Sequence, residues 1–187
     1  MGMFDWVLGR TRPPAADLDA LFAVPQAAVT LQTQGFTPTG QGAVCYRSGE
    51  GAAFAAAETQ AEQLVATDGS TVARTDDSYG FRWLSVTRPT PDVSGLVTDV
   101  HAVNTSLRDA GFDQALLCST VGFTTPTGGP MALVYAYKRG TFYPFVPIGP
   151  SKRDNATELQ IRGLVAEDLA VEPELANWFA IWGAPGL

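Results

Sequence analysis

ALLCSTVGFTTPTGGPMALVYAYKRG, residues 115–140, holds two apolar runs with turn-forming residues between them and no room for a helix. ALLCSTVGF (115–123) and MALVYAYKRG (131–140) are rich in Leu, Val and Tyr, residues that pack well on a pleated surface. TPTGGP joins them, so the pair reads as antiparallel strands around a long turn. The next stretch, TFYPFVPIGPS (141–151), is aromatic but carries Pro144 and Pro147. Proline has no N–H for a ladder, which predicts an edge strand or an ordered loop.

Working upstream, GAVCYR (42–47), TVAR (71–74) and YGFRWLSVTR (79–88) read as further strands, with GFTPTGQG (35–42) as a turn-rich connector. Asp76, Asp77 and Ser78 supply hairpin chemistry between the last two strands. Along 79–88, Phe81 and Trp83 point one way and Arg82, Leu84 and Val86 the other, with Arg82 and Arg88 expected on an exposed sheet face. AAFAAAETQAEQLVA (52–66) and the 91–111 stretch carry apolar residues at helical spacing, and Gly111 stops the second. Asp17 caps a helix that Pro25 breaks or restarts, and Asp154 with Asn155 caps another at 155–169. A last helix is predicted over 171–183, with Trp178, Phe179 and Trp182 packing one face. Consecutive strands between helices favour a single α+β domain over 15–187, an antiparallel sheet covered by helices. A doubly wound fold would need a helix between each strand pair.

The chain has 187 residues, a net charge of -7, 45% hydrophobic and 17% charged residues. An acidic chain without basic clusters argues against nucleic-acid binding. No apolar run approaches the roughly 20 residues of a membrane-spanning helix, and no secretory signal is recognised, so a cytoplasmic location is expected. Cys45 and Cys118 sit in apolar runs and read as buried, reduced thiols, with no Cys/His spacing for zinc. His101, the single histidine, has no obvious nucleophile or orienting partner, since Asp99 two residues away leaves another side of the helix. GQG and GEG lack the context of a phosphate loop, and no GxSxG elbow is present. No catalytic residue, metal or cofactor is assigned, and a non-enzymatic role is expected. The alternative is a small-molecule-binding or enzymatic domain with a pocket between sheet and helices.

Two stretches look suited to contact. MGMFDWVLGRTRPP opens the chain, and Phe4, Trp6, Leu8, Arg10 and Arg12 form a candidate membrane or partner contact within a 1–14 amphipathic segment and linker. In YAYKRGTFYPFVP (135–147), Lys138, Arg139, Phe142, Tyr143 and Phe145 form a candidate partner-binding edge for a protein or client peptide. The competing assignment puts Tyr135, Phe142 and Phe145 in the core, with Tyr143 half-buried.

The opening stretch with DLDALFAVPQAAVTL, then GAVCYR, DDSYGFRWLSVTR, LVTDVHAVNTSLRDAGF, LVYAYKRGTFYPFVP, RDNATELQIRGL and WFAIWGAPGL, resembles in order the PspA-associated protein PspAB family. The resemblance implies a small cytoplasmic adaptor or regulator linked to phage-shock-type envelope stress. Its implied partners are the coiled-coil membrane-remodelling protein PspA and a membrane-bound HtpX-type metallopeptidase. Five apolar side chains and two arginines in the opening stretch predict only weak, reversible peripheral contact with the inner face of the membrane. By analogy, the layout is expected to be similar to type III secretion chaperones and YbjN-type proteins.

Overall fold

The computed structural model describes residues 16–66, 69–88 and 92–187. The segment at 1–14, with Phe4, Trp6, Leu8, Arg10 and Arg12, lies outside the described residues.

Asp17 accepts a hydrogen bond from the Asp19 amide at 3.1 Å and opens a 3-10 turn, Leu18–Ala23, that runs straight into α1 (Val24–Gln32). Pro25 restarts the helix: it sits in the first turn of α1, where a missing N–H costs nothing. Then follow β1 (Thr37–Arg47), α2 (Ala52–Val65), β2 (Thr71–Asp76), β3 (Phe81–Thr87) and α3 (Val93–Leu107). Gly111, at φ +90°, ends the turn of π-helix after α3. The remaining elements are β4 (Leu116–Thr124), β5 (Pro130–Ala136), β6 (Thr141–Phe145), the small β7 (Pro147–Gly149) and β8 (Lys152–Arg153) hairpin, and α4 (Asn155–Val165). Asp154 caps α4 by accepting from the Thr157 amide.

Six strands form one antiparallel sheet in the order β2-β3-β1-β4-β5-β6. The fold is α+β, as the sequence predicts. Period-2 alternation sends Val44, Tyr46, Leu84, Val121, Tyr135 and Phe142 into the main core, where the helices pack on them. Leu96, Val97, Val100, Val103 and Leu107 of α3 meet the same core.

Three expectations need correction. β1 begins at Thr37, inside the predicted connector. A register shift between Pro38 and Gly42, with Gly40 at φ +76°, absorbs the proline and lets pairing with β4 continue. The terminal helix is not formed: only Leu175–Asn177 makes a 3-10 turn. The Trp178 indole donates back to the Glu172 carbonyl at 3.0 Å, and Gly183 and Gly186 have positive φ, so the chain folds across the sheet. Arg82 does not line an exposed face. It shares the helix-covered face with Leu84, and Nε lies 2.6 Å from Asp76 while Nη1 lies 3.1 Å from Glu58 of α2. Arg88 likewise turns to Asp99 of α3, at 2.9 Å. The proline-bearing stretch forms β6, an edge strand as expected, and that edge is bridged at Phe142. The Phe142 amide donates to the Ala170 carbonyl and the Glu172 amide to the Phe142 carbonyl, each at 2.8 Å.

Gly42 sits where β1 has no room for a side chain between β4 and α3. A Cβ there would meet the Thr120 carbonyl oxygen at 2.9 Å, Val100 at 3.1 Å and Leu96 at 3.3 Å. Gly163 on α4 has nothing within 4 Å of that position. Gly42→Ala is therefore expected to cost about 1–3 kcal/mol through overpacking, and Gly163→Ala to add about 0.5–1 kcal/mol through helix propensity. Urea unfolding midpoints of the two variants should move in opposite directions.

Candidate functional site

The sheet face opposite the helices carries Ala43, Cys45, Trp83, Ala132, Val134, Tyr143 and Phe145. Among the described residues no helix covers it; residues 178–187 do. Trp178 stacks on Tyr143 with ring centroids 6.2 Å apart, and Trp182 meets Phe145 edge-on at 5.0 Å. Ala184 and Leu187 reach the Cys45 and Trp83 cluster. Arg153 pins this cover. Its Nη1 donates to the Trp178 carbonyl at 2.7 Å, its Nε lies 2.9 Å from Glu158, and its guanidinium stands 5.0 Å over the Phe145 ring. Glu172 adds a second tie, accepting from Thr141 Oγ1 at 2.8 Å and Asn177 Nδ2 at 2.9 Å.

The cover leaves a groove of about 600 Å³ between the 179–182 segment and the β2–β3 turn. Cys45, Cys118, Leu117 and Tyr143 form its floor. Phe81, Trp83 and Tyr79 make one wall, and Phe179, Ile181 and Trp182 the other. Tyr79 is 64% exposed and Phe179 61%, which leaves two aromatic rings facing solvent across the opening. Lys138 and Arg139 stand on the rim. Arg139 donates to Asn177 Oδ1 at 2.9 Å, whereas Lys138 has no ion-pair partner among the described residues.

Asp77 shapes the aromatic wall. Its Oδ1 accepts from the Tyr79 and Phe81 amides at 2.8 and 2.9 Å, and its Oδ2 from the Trp83 indole at 3.0 Å. Burial opposes ionisation here, but the Trp83 indole and the backbone N–H groups outweigh it and hold the carboxyl below the usual range. Burial pushes the Tyr143 hydroxyl well above an ordinary tyrosine, so that phenol stays neutral.

The groove lining is mostly apolar and aromatic, with Asp77, Lys138 and Arg139 as its charged members. No group of three or more His, Cys, Asp or Glu among the described residues could hold a metal ion. His101 lies on α3, away from the groove, with Nε2 3.1 Å from Asp19 Oδ1 and its ring 4.7 Å from Phe22. Asp99 turns to Ser70 and Arg88 instead. Of the candidate edge, Phe142 is in the main core, Tyr143 and Phe145 are buried on the opposite face, and only Lys138 and Arg139 are exposed. The structure thus splits that set: Lys138, Arg139 and Tyr143 line the groove, while Phe142 and Phe145 do not. The missed residues are Tyr79, Phe81, Trp83 and Phe179. Phe81 and Trp83 were placed on one strand face in the sequence, but nothing in it placed residue 179 beside them. No helix among the described residues is long and apolar enough to cross a membrane.

A family model described as PspAB, PspA associated protein B, matches residues 1–186. No curated protein and no solved structure matches the chain.

Asp77→Asn should turn an N–H donor toward the Trp83 indole and cost about 1–2 kcal/mol at pH 7. Because the folded carboxyl titrates below its unfolded value of about 3.9, its contribution is complete above that pH and fades as pH falls through the folded value. Urea titrations of both proteins from pH 7 to pH 3 should show the stability gap closing with acid. A gap independent of pH would mean that the carboxylate does not hold the turn.

Proposed function

The chain belongs to the PspA associated protein B family, and from that premise we propose that it is a cytoplasmic, non-enzymatic adaptor of the PspA-linked membrane-stress response that works through protein–protein contacts. The family match carries this reading. The groove supports the mode of contact: an open apolar channel with aromatic walls and a basic rim is the anatomy of a binding surface, where a few buried aromatics supply most of the affinity. The proposed first partner is a PspA-type coiled-coil protein, one of whose apolar helix faces would enter between Tyr79 and Phe179. A membrane-bound HtpX-type metallopeptidase is the second, and weak peripheral membrane contact accompanies it. Lys138 on the rim would steer an acidic neighbour of that helix, affecting association rate more than residence time.

The test is binding of purified full-length chain to the PspA-type protein of the same organism. Tyr79→Ala with Phe179→Ala should weaken the complex at least tenfold, and the melting temperature should hold, since both rings are mostly exposed. Lys138→Glu should lower the association rate and flatten its salt dependence. Undiminished binding by the double variant would remove the groove from the contact, and failure of the unmodified chain to bind at all would overturn the adaptor reading.

A further inference from the structure

Cys45 of β1 and Cys118 of β4 are direct Cα partners in the antiparallel register. Directly paired residues on such strands have Cα atoms about 4.5–5.5 Å apart, inside the span of about 4.4–6.8 Å that a disulfide bridges. Both side chains lie on the outer sheet face and both line the groove. They differ in access: Cys45 is 3% exposed, while Cys118 is half-buried. Both are free thiols. The neighbouring Cys118 thiol, and then burial, hold the Cys45 thiol far above its ordinary range. The ladder shifts register immediately after Cys45, so the local backbone departs from regular pairing where a bond would close.

We propose that Cys45 and Cys118 form a reversible dithiol–disulfide couple in the groove floor, a modification site for small disulfides that enter from the groove. Cys118, the more exposed sulfur, attacks as thiolate. The S–S bond of the small disulfide breaks, one half leaves as a thiolate, and that thiolate takes up the proton Cys118 gave up. Cys45 then attacks the Cys118 sulfur of the mixed disulfide. The second half leaves with the Cys45 proton, and the cross-strand bond remains. Two protein thiols are oxidised and one small disulfide is reduced to two thiols. Adduct formation at Cys118 removes the thiol neighbour that raises Cys45 most, and Cys45 stands at the directly paired position on the neighbouring strand, so the mixed disulfide should be short-lived. Closing the bond ties β1 to β4 beneath Leu117 and Ile181, which records the thiol state in the floor of the groove.

The couple does not depend on the adaptor reading and is tested without a partner. Native, purified full-length chain is incubated with 2-hydroxyethyl disulfide and followed by intact mass and non-reducing peptide mapping. The expected product has lost two hydrogens, carries no adduct, joins the Cys45 and Cys118 peptides, and reverts with dithiothreitol. Trp83, the Cα partner of Cys45 on β3, should lose fluorescence in step. Cys45→Ser should retain one adduct on Cys118, and Cys118→Ser should react at least tenfold more slowly. A persistent adduct on the unmodified chain would show that the sulfurs do not meet. Thiols that react only after unfolding in urea would show that the groove admits no oxidant. Either result overturns the couple from the unmodified chain alone, whatever the variants do, and neither bears on PspA binding.

Discussion

A six-stranded sheet with helices on one face has a second face to keep from water. That constraint organises this structure. The inner face is covered by α1 to α4 in the usual way of α+β domains, but the outer face carries Ala43, Cys45, Trp83, Val134, Tyr143 and Phe145, all buried. Central β1 is buried on both sides for that reason, with Ala43, Val44, Cys45 and Tyr46 in unbroken succession. A strand in a sheet open to solvent would show polar residues at alternate positions. The terminal ten residues meet the need as an irregular strap whose tryptophans pack on the strand aromatics, Trp178 stacked and Trp182 edge-on.

An irregular strap has backbone groups to satisfy and no ladder to do it, so polar side chains take the work. Arg153 donates to the Trp178 carbonyl and is itself held by Glu158, whose carboxylate also accepts from the Val146 amide at 2.9 Å. Burial raises the Glu158 carboxyl, with the Arg153 hydrogen bond working against that rise. Such a pair is a poor source of net stability, because desolvation consumes much of its attraction. Its value is geometric: it sets where the strap crosses β6. At the other end of the sheet Glu58 does the same for the β2–β3 hairpin, accepting from Tyr46 Oη at 3.0 Å and facing Arg74 and Arg82. Two buried glutamates on different helices thus position the two borders of the groove.

The inner layer was legible because it follows local rules. The strands between 115 and 140, the helices Ala52–Val65 and Val93–Leu107 and the Asp17 and Asp154 caps follow from alternation, helical spacing and capping chemistry, all of which act within a few residues. The outer face was not, because it depends on contacts between distant residues. The spacing of Trp178, Phe179 and Trp182 is helical, and tertiary packing overrode it when Trp178 found the Glu172 carbonyl and the Tyr143 ring. Arg82 looked exposed because its partner Glu58 is 24 residues away on α2. Cys45 and Cys118 each looked like core filler, and only the register between β1 and β4 shows that they are opposite one another. The groove has no linear signature, since its walls come from residues near 80 and near 180.

The opening left by the strap is too apolar to be only a gap in the packing. The outward row of edge strand β2 is Thr71, Ala73 and Thr75, which tolerates water. The adjoining row of β3 begins with Phe81 and Trp83, and the turn before it presents Tyr79. The strap continues the aromatic lining with Phe179, although that ring contributes little to covering the sheet beneath it. Solvent-facing rings on both sides of one channel cost solubility without adding to the core, which is the feature that favours the proposed contact surface. The arrangement is economical in one further respect. The segment that seals the β4–β6 end of the face also builds the far wall of the channel, so displacement of the strap would uncover the core and dismantle the channel together. Anchoring the strap through buried charge, not apolar contact alone, ties the shape of the channel to the integrity of the fold.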